Sequence, residues 1–132
     1  MTKTLFTATA TAVGGREGRV ESSDGVVKFD LAMPGTPRAK QLPDAANPEL
    51  LFASGYAACF DGALQFMARK EHVSFESEVT AIVSFMKDEK DDGFKLGVTL
   101  QVKGTGIEKE KLEDLVHKAH EFCPYSKATR GN

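Results

Sequence analysis

Threonine alternates with apolar residues from Leu5 to Val13, and a period of two predicts a strand with one buried face. Gly14-Gly15-Arg16-Glu17-Gly18 breaks it as a glycine-rich turn. Arg19 to Glu21 predicts a returning strand, Ser22-Ser23-Asp24-Gly25 a second turn, and Val26 to Met33 another strand. Residues 4–33 therefore read as an antiparallel meander. Residues 34–46 hold three prolines, one glycine and the cations Arg38 and Lys40, a composition that predicts an irregular loop.

At Asn47 the period disappears. Leu50, Leu51, Phe52, Ala53, Tyr56, Ala57, Ala58, Cys59 and Phe60 leave no polar side, and a helix apolar all round is a buried one. Asn47 suits the N-cap, Pro48 the first helical position, and Glu49 the positive end of the helix dipole. The predicted central helix, 47–69, would be about 35 Å long. Gly55, Ala58 and Gly62 would let another backbone approach it closely. After a connector at 72–77, alternation returns in Val79, Ala81, Val83, Phe85 and again in Phe94, Leu96, Val98, Leu100, Val102, which predicts a β-hairpin over 78–103. Leu112, Leu115, Val116, Ala119 and Phe122 recur at helical spacing, so 107–122 is the C-terminal helix, stopped before Pro124. Residues 127–132 are expected to be a polar tail. Strands, helix, strands, helix in this order make the class α+β, in one domain spanning 1–132.

The composition narrows the function. A hydrophobic content of 41% supports a packed core, and a net charge of -2 argues against nucleic acid or membrane partners. No apolar run is long enough to span a bilayer, and the N-terminus lacks the pattern of a signal peptide. The expected location is the cytoplasm, where two cysteines are more often free, catalytic or redox-active than a structural staple.

Cys59 and Cys123 form no C-x-x-C pair. A thiol attacks electrophiles as thiolate, and an apolar helix raises its pKa. Cys59 lies about three turns into its helix, beyond the reach of the dipole, so a reactive Cys59 needs a cation from elsewhere in the fold. The plainer alternative is a small buried hydrophobe. Cys123, directly before Pro124, stands where the backbone leaves a helix; it is either a packing residue or a cysteine placed to meet another sulfur. His117, His120 and Cys123 invite a metal reading, but positions three apart on one helix fan out, and no second cluster completes a tetrahedral set.

Three stretches resemble the organic hydroperoxide resistance proteins of the Ohr/OsmC family. They are Gly14-Gly15-Arg16-Glu17-Gly18-Arg19 with Ser22-Ser23-Asp24-Gly25, Asn47 to Phe60 (NPELLFASGYAACF), and His120 to Asn132 (HEFCPYSKATRGN). The last is similar to the Ohr branch. The resemblance implies an OsmC-like fold, in which antiparallel sheets pack on long central helices in an intertwined homodimer. It implies a thiol peroxidase that reduces organic hydroperoxides to alcohols. Cys59 matches the peroxidatic cysteine, Cys123 the resolving cysteine, Arg16 the arginine that lowers the thiolate pKa, and Glu49 the carboxylate that orients Arg16. The implied reductant is a dihydrolipoyl group, as dihydrolipoamide or on a lipoylated partner protein, with no metal or bound cofactor. A substrate pocket lined by Phe52, Phe60 and Met67 would favour alkyl or lipid hydroperoxides.

Several positions depart from the family pattern. Leu50 stands where glutamine is usual, Ser54 where alanine is common, and Asp61, two residues after the nucleophile, where an apolar residue is usual. A carboxylate there opposes thiolate formation unless it points away. Relatives are often glycine-rich where Thr36 to Ala46 carries two prolines, and they normally continue past Arg-Gly-Asn with one more strand. The competing functions are a redox sensor or ligand-binding module that uses the same cysteine pair without turnover, and a structural protein with inert buried thiols.

Overall fold

The computed structural model describes residues 2–131; Met1, and Asn132 at the end of the predicted tail, lie outside the described residues. The described residues gather into two compact units, one up to Leu51 and one from Phe52 onward.

The first unit is a three-stranded antiparallel sheet, β1 (Ala10–Val13), β2 (Arg19–Ser22) and β3 (Lys28–Asp30), in that order. The predicted first strand begins at Leu5, but β2 ends at Ser22, which pairs with Ala10; among the described residues the pairing closes just before it, where the Thr9 carbonyl accepts from the Ser23 amide. Leu5 and Phe6 are accordingly exposed. The third strand is also shorter than 26–33. Asp24 accepts hydrogen bonds from the Ser22 hydroxyl and the Val26 amide, which keeps the turn closed until Val27. The Gly15–Glu17 stretch forms a single 3-10 turn, and Gly18 makes it possible: a Cβ there would lie 1.7 Å from the Val13 carbonyl oxygen. Within the expected irregular loop a short helix forms, α1 (Pro37–Gln41). Thr36 caps it by accepting from the Ala39 amide, and Pro37 is pre-set for the first helical position. Arg38 donates to the carbonyl oxygens of Leu31 (2.8 Å) and Gly18 (3.2 Å), holding α1 against the sheet.

The central helix, α2, runs unbroken over Pro48–Lys70, through Gly55. The Asn47 carboxamide oxygen accepts from the Leu50 amide, as expected of an N-cap. The expectation of burial on every side needs correction. Tyr56, Phe60, Ala63, Leu64, Met67 and Ala68 are buried on one face, while Ser54, Ala58, Gly62 and Phe66 are exposed on another. This chain covers only half of its apolar helix. The helix ends with Val73 N–H donating to Ala68 and His72 N–H to Arg69, and His72 sits in the left-handed region at φ 59° where glycine is usual.

The hairpin is longer than 78–103: β4 (Glu76–Asp88) pairs antiparallel with β5 (Gly93–Thr105) from Glu76↔Thr105 to Asp88↔Gly93. Then come α3 (Lys109–Phe122) and, in place of the expected tail, α4 (Pro124–Thr129). Proline ends one helix and starts the next because its fixed φ and missing amide hydrogen suit a first turn. The buried face of α2 packs with Leu115, Ala119 and Cys123, and around this core lie Val79, Ala81, Leu100 and Val102 of the hairpin. Phe66 and Phe122 stack with ring centroids 4.8 Å apart. No helix among the described residues is long and apolar enough to cross a membrane.

Candidate active site

Each unit brings together two of the four residues singled out as catalytic. In the first, Arg16 projects from the 3-10 turn and Glu49 from the first turn of α2. Arg16 Nη1 and Nη2 donate to Glu49 Oε1 and Oε2 at 2.7 and 2.8 Å. Two parallel charge-assisted bonds fix a planar guanidinium in position and angle, which a lysine cannot reproduce. The hydrogen bond from Arg16 holds the Glu49 carboxyl below the usual carboxylate range, and the same bond raises Arg16.

In the second unit, packing of α3 on α2 brings Cys123 Sγ to 3.7 Å from Cys59 Sγ, although 64 residues separate them in sequence. Both are free thiols; Cys59 is half-buried and Cys123 fully buried. Burial pushes the Cys59 thiol above its ordinary value, a hydrogen bond from the Tyr125 backbone amide acts in the opposite direction, and the neighbouring Cys123 thiol raises it further. A disulfide needs sulfurs about 2.05 Å apart, so bond formation requires an approach of under two ångströms.

Tyr56, Tyr125 and Ser126 were not singled out in the sequence, yet they surround this pair. The Tyr125 ring lies over α2 at Gly55, where a Cβ would come within 2.3 Å of the phenol oxygen. It packs with Phe52 and Tyr56, ring centroids 6.0 and 5.6 Å away. The Ser126 hydroxyl shares hydrogen bonds with Tyr56 Oη (2.8 Å) and His120 Nδ1 (3.0 Å). The available signal was Tyr56, one helical turn before Cys59, together with the Cys-Pro-Tyr-Ser run.

Of the residues proposed for a substrate pocket, Phe60 and Met67 belong to the core, with 1% and 8% of their surface exposed. Phe52 instead lines a groove of about 690 Å³ with Tyr56, Leu96 and Val98, and with Lys90 and Lys95 at its polar side. Asp61, the carboxylate two residues beyond Cys59, accepts a hydrogen bond from Ser77 on β4, and Gln65 donates to the same hydroxyl. His120 is directed to Ser126, and the described residues contain no group of three or more His, Cys, Asp or Glu side chains suited to a metal ion.

Comparison with known proteins places these residues in a wider context. The family described as OsmC-like protein matches residues 40–132. Organic hydroperoxide resistance protein OhrA of Bacillus subtilis is 67% identical, over 100% of this chain and 94% of its own length. An organic hydroperoxide resistance protein of Xanthomonas axonopodis is 44% identical, over 98% of this chain and 91% of that protein. The crystal structure of OhrB of Bacillus subtilis is similar at a TM-score of 0.92 and 55% identity, covering 98% of this chain and 94% of that one. With such identity along the whole length, on top of the shared α+β fold, the chain belongs to the organic hydroperoxide resistance proteins of the OsmC-like family.

Proposed function

We propose that this protein is a cysteine peroxidase that reduces organic hydroperoxides to alcohols. The observation that carries the reading is the 3.7 Å approach of Cys59 and Cys123, one half-open and one sealed, in a member of this family. The Cys59 thiolate attacks the terminal oxygen of ROOH; the O–O bond breaks, the alkoxide takes a proton and leaves as the alcohol, and a sulfenic acid remains on Cys59. The Cys123 sulfur then displaces that hydroxyl. The S–S bond forms, the S–O bond breaks, and water departs with the proton of the Cys123 thiol. A dithiol of the dihydrolipoyl type, free or on a lipoylated protein, reopens the disulfide by exchange and is itself oxidised to a cyclic disulfide. These steps balance without a resident metal or cofactor.

Burial raises the Cys59 thiol, so thiolate formation calls for a cation, and Arg16 takes that role in this reading, oriented by Glu49. The groove beside Phe52, Leu96 and Val98 suits an alkyl group on the substrate. The working form is a homodimer. The bare side of α2 and the exposed Phe94, Leu96 and Val98 of the hairpin support this, since apolar surface of that extent marks an interface. A cytoplasmic location, with its pool of reducing thiols, belongs to the same reading.

The test is steady-state turnover with an alkyl hydroperoxide, comparing dihydrolipoamide with thioredoxin as reductant. Many equivalents of alcohol per protein with dihydrolipoamide are expected, and few with thioredoxin. One equivalent and no turnover with either would make the protein a sensor.

A further inference from the structure

Among the described residues Ser126 is the only polar side chain, tyrosine and cysteine aside, that is fully buried. Such a group in a core is expected to have partners, and Ser126 has two, on two different helices. Tyr56 lies on α2, one turn before Cys59. His120 lies on α3, one turn before Cys123. Ser126 itself lies on α4, one turn after Cys123. A single hydroxyl therefore ties three helices together at the level of the two sulfurs.

The residue it constrains sits at a break between two helices. Cys123 belongs to neither helix: its backbone is extended (φ -64°, ψ 125°) between the end of α3 and the proline that opens α4. Its amide bonds back to Ala119 and its carbonyl accepts from Lys127, so the junction is fastened at each side while its own torsions are non-helical. The adjacent Tyr125 amide favours the Cys59 thiolate, and the two sulfurs lie 3.7 Å apart.

Resting on the assignment of Cys59 and Cys123 as peroxidatic and resolving cysteines, we infer that Ser126 is a positioning residue for the resolution step, in which its hydrogen bonds to Tyr56 and His120 hold Cys123 within reach of the Cys59 sulfenic acid. Two fates compete for that acid. In one, Cys123 displaces its hydroxyl as water and forms the disulfide. In the other, a second hydroperoxide transfers an oxygen to sulfur, leaving as alcohol and giving a sulfinic acid. The first is intramolecular and depends on how often Cys123 stands in line; the second depends on peroxide concentration. Loosening the tie should slow only the first.

The experiment uses full-length Ser126→Ala and Tyr56→Phe, with wild type alongside, each reduced and then exposed to rising concentrations of an alkyl hydroperoxide without reductant. Mass spectrometry of the quenched protein gives the ratio of disulfide to sulfinic acid, and alcohol release in the first turnover gives the rate of the initial attack. Ser126→Ala should over-oxidise at a peroxide concentration roughly tenfold lower than wild type, the effect of losing buried hydrogen bonds, while the first-turnover rate changes little. Tyr56→Phe should show a smaller shift in the same direction, and it carries the test if Ser126→Ala does not fold. A merely structural role would lower the unfolding midpoint without moving the ratio. An unchanged ratio in folded variants, with wild type forming its disulfide, overturns this inference alone. A wild type that forms no disulfide overturns the peroxidase reading and the inference together.

Discussion

A thiol that burial makes harder to ionise needs compensation, and at Cys59 the Tyr125 backbone amide supplies part of it. In the proposed function Arg16 supplies the rest, and its value there lies in shape as much as charge. Arg16→Lys keeps the cation but loses the paired bonds to Glu49, so kcat/KM for an alkyl hydroperoxide is expected to fall by about a hundredfold, the usual scale for a misplaced catalytic group. The thiolate pKa, measured from the pH dependence of alkylation, should rise by less than that loss implies; near-normal turnover would show that charge alone suffices. Cys123→Ser should release one equivalent of alcohol, stall, and accumulate over-oxidised Cys59. Failure to release that first equivalent would remove Cys123 from the resolving role. Cys59, Cys123, Arg16 and Glu49 could be nominated from motifs because each sits in a short distinctive run. Ser126 and the Tyr125 amide share the run that carries Cys123, but their roles were not legible there, since a serine and a backbone group gain meaning only from what packs against them.

Caps and periods made the elements legible. Asn47-Pro48-Glu49 started α2 within a residue of its observed N-terminus, and the alternation of β4 and β5 matched the observed register face by face. The misses have local causes: α1 was hidden among prolines that also serve as helix starters, and α4 behind a proline read only as a stop. The end of α2 offers a direct test, because His72 holds a left-handed conformation that costs a β-carbon-bearing residue about 1 kcal/mol. His72→Gly should therefore raise stability to urea by about 1 kcal/mol at fixed protein concentration, and a loss would mean that the imidazole contributes contacts of its own. Glu71, in the same turn, accepts hydrogen bonds from Lys111 and Lys118 of α3, which hold its carboxyl down to about 2. A depressed carboxylate stabilises fully above its unfolded pKa, about 4.3, and its contribution disappears as pH falls towards 2. Glu71→Gln should flatten the fall in stability across that window at low ionic strength and converge with the parent near pH 2. Curves of equal slope across the window would argue that the ion pairs contribute nothing.

For the molecule as a whole, the question is which chain completes which site. Glu49 and Cys59 are ten residues apart on a helix that does not break at Gly55, hence about 15 Å along its axis, too far for one guanidinium to touch both. We propose that Arg16 and Glu49 serve the thiolate of a second copy. Co-refolding Cys59→Ser with Glu49→Ala, each inactive alone, should restore part of the activity in mixed dimers, where one site keeps an intact Cys59 and a partner's Glu49. Confirmed mixed dimers with no recovery would assign Glu49 and Cys59 to the same chain's site. The sequence by itself determined the α+β class, the order of the principal elements, the family and the two cysteines, because periodicity, capping and short motifs are properties of neighbouring residues. Only the tertiary structure decided that α2 is covered on one face, that two sulfurs 64 residues apart lie 3.7 Å from each other, and that one buried hydroxyl joins the helices carrying them. Those distances are set by how helices pack, and packing depends on side chains that no local pattern brings together.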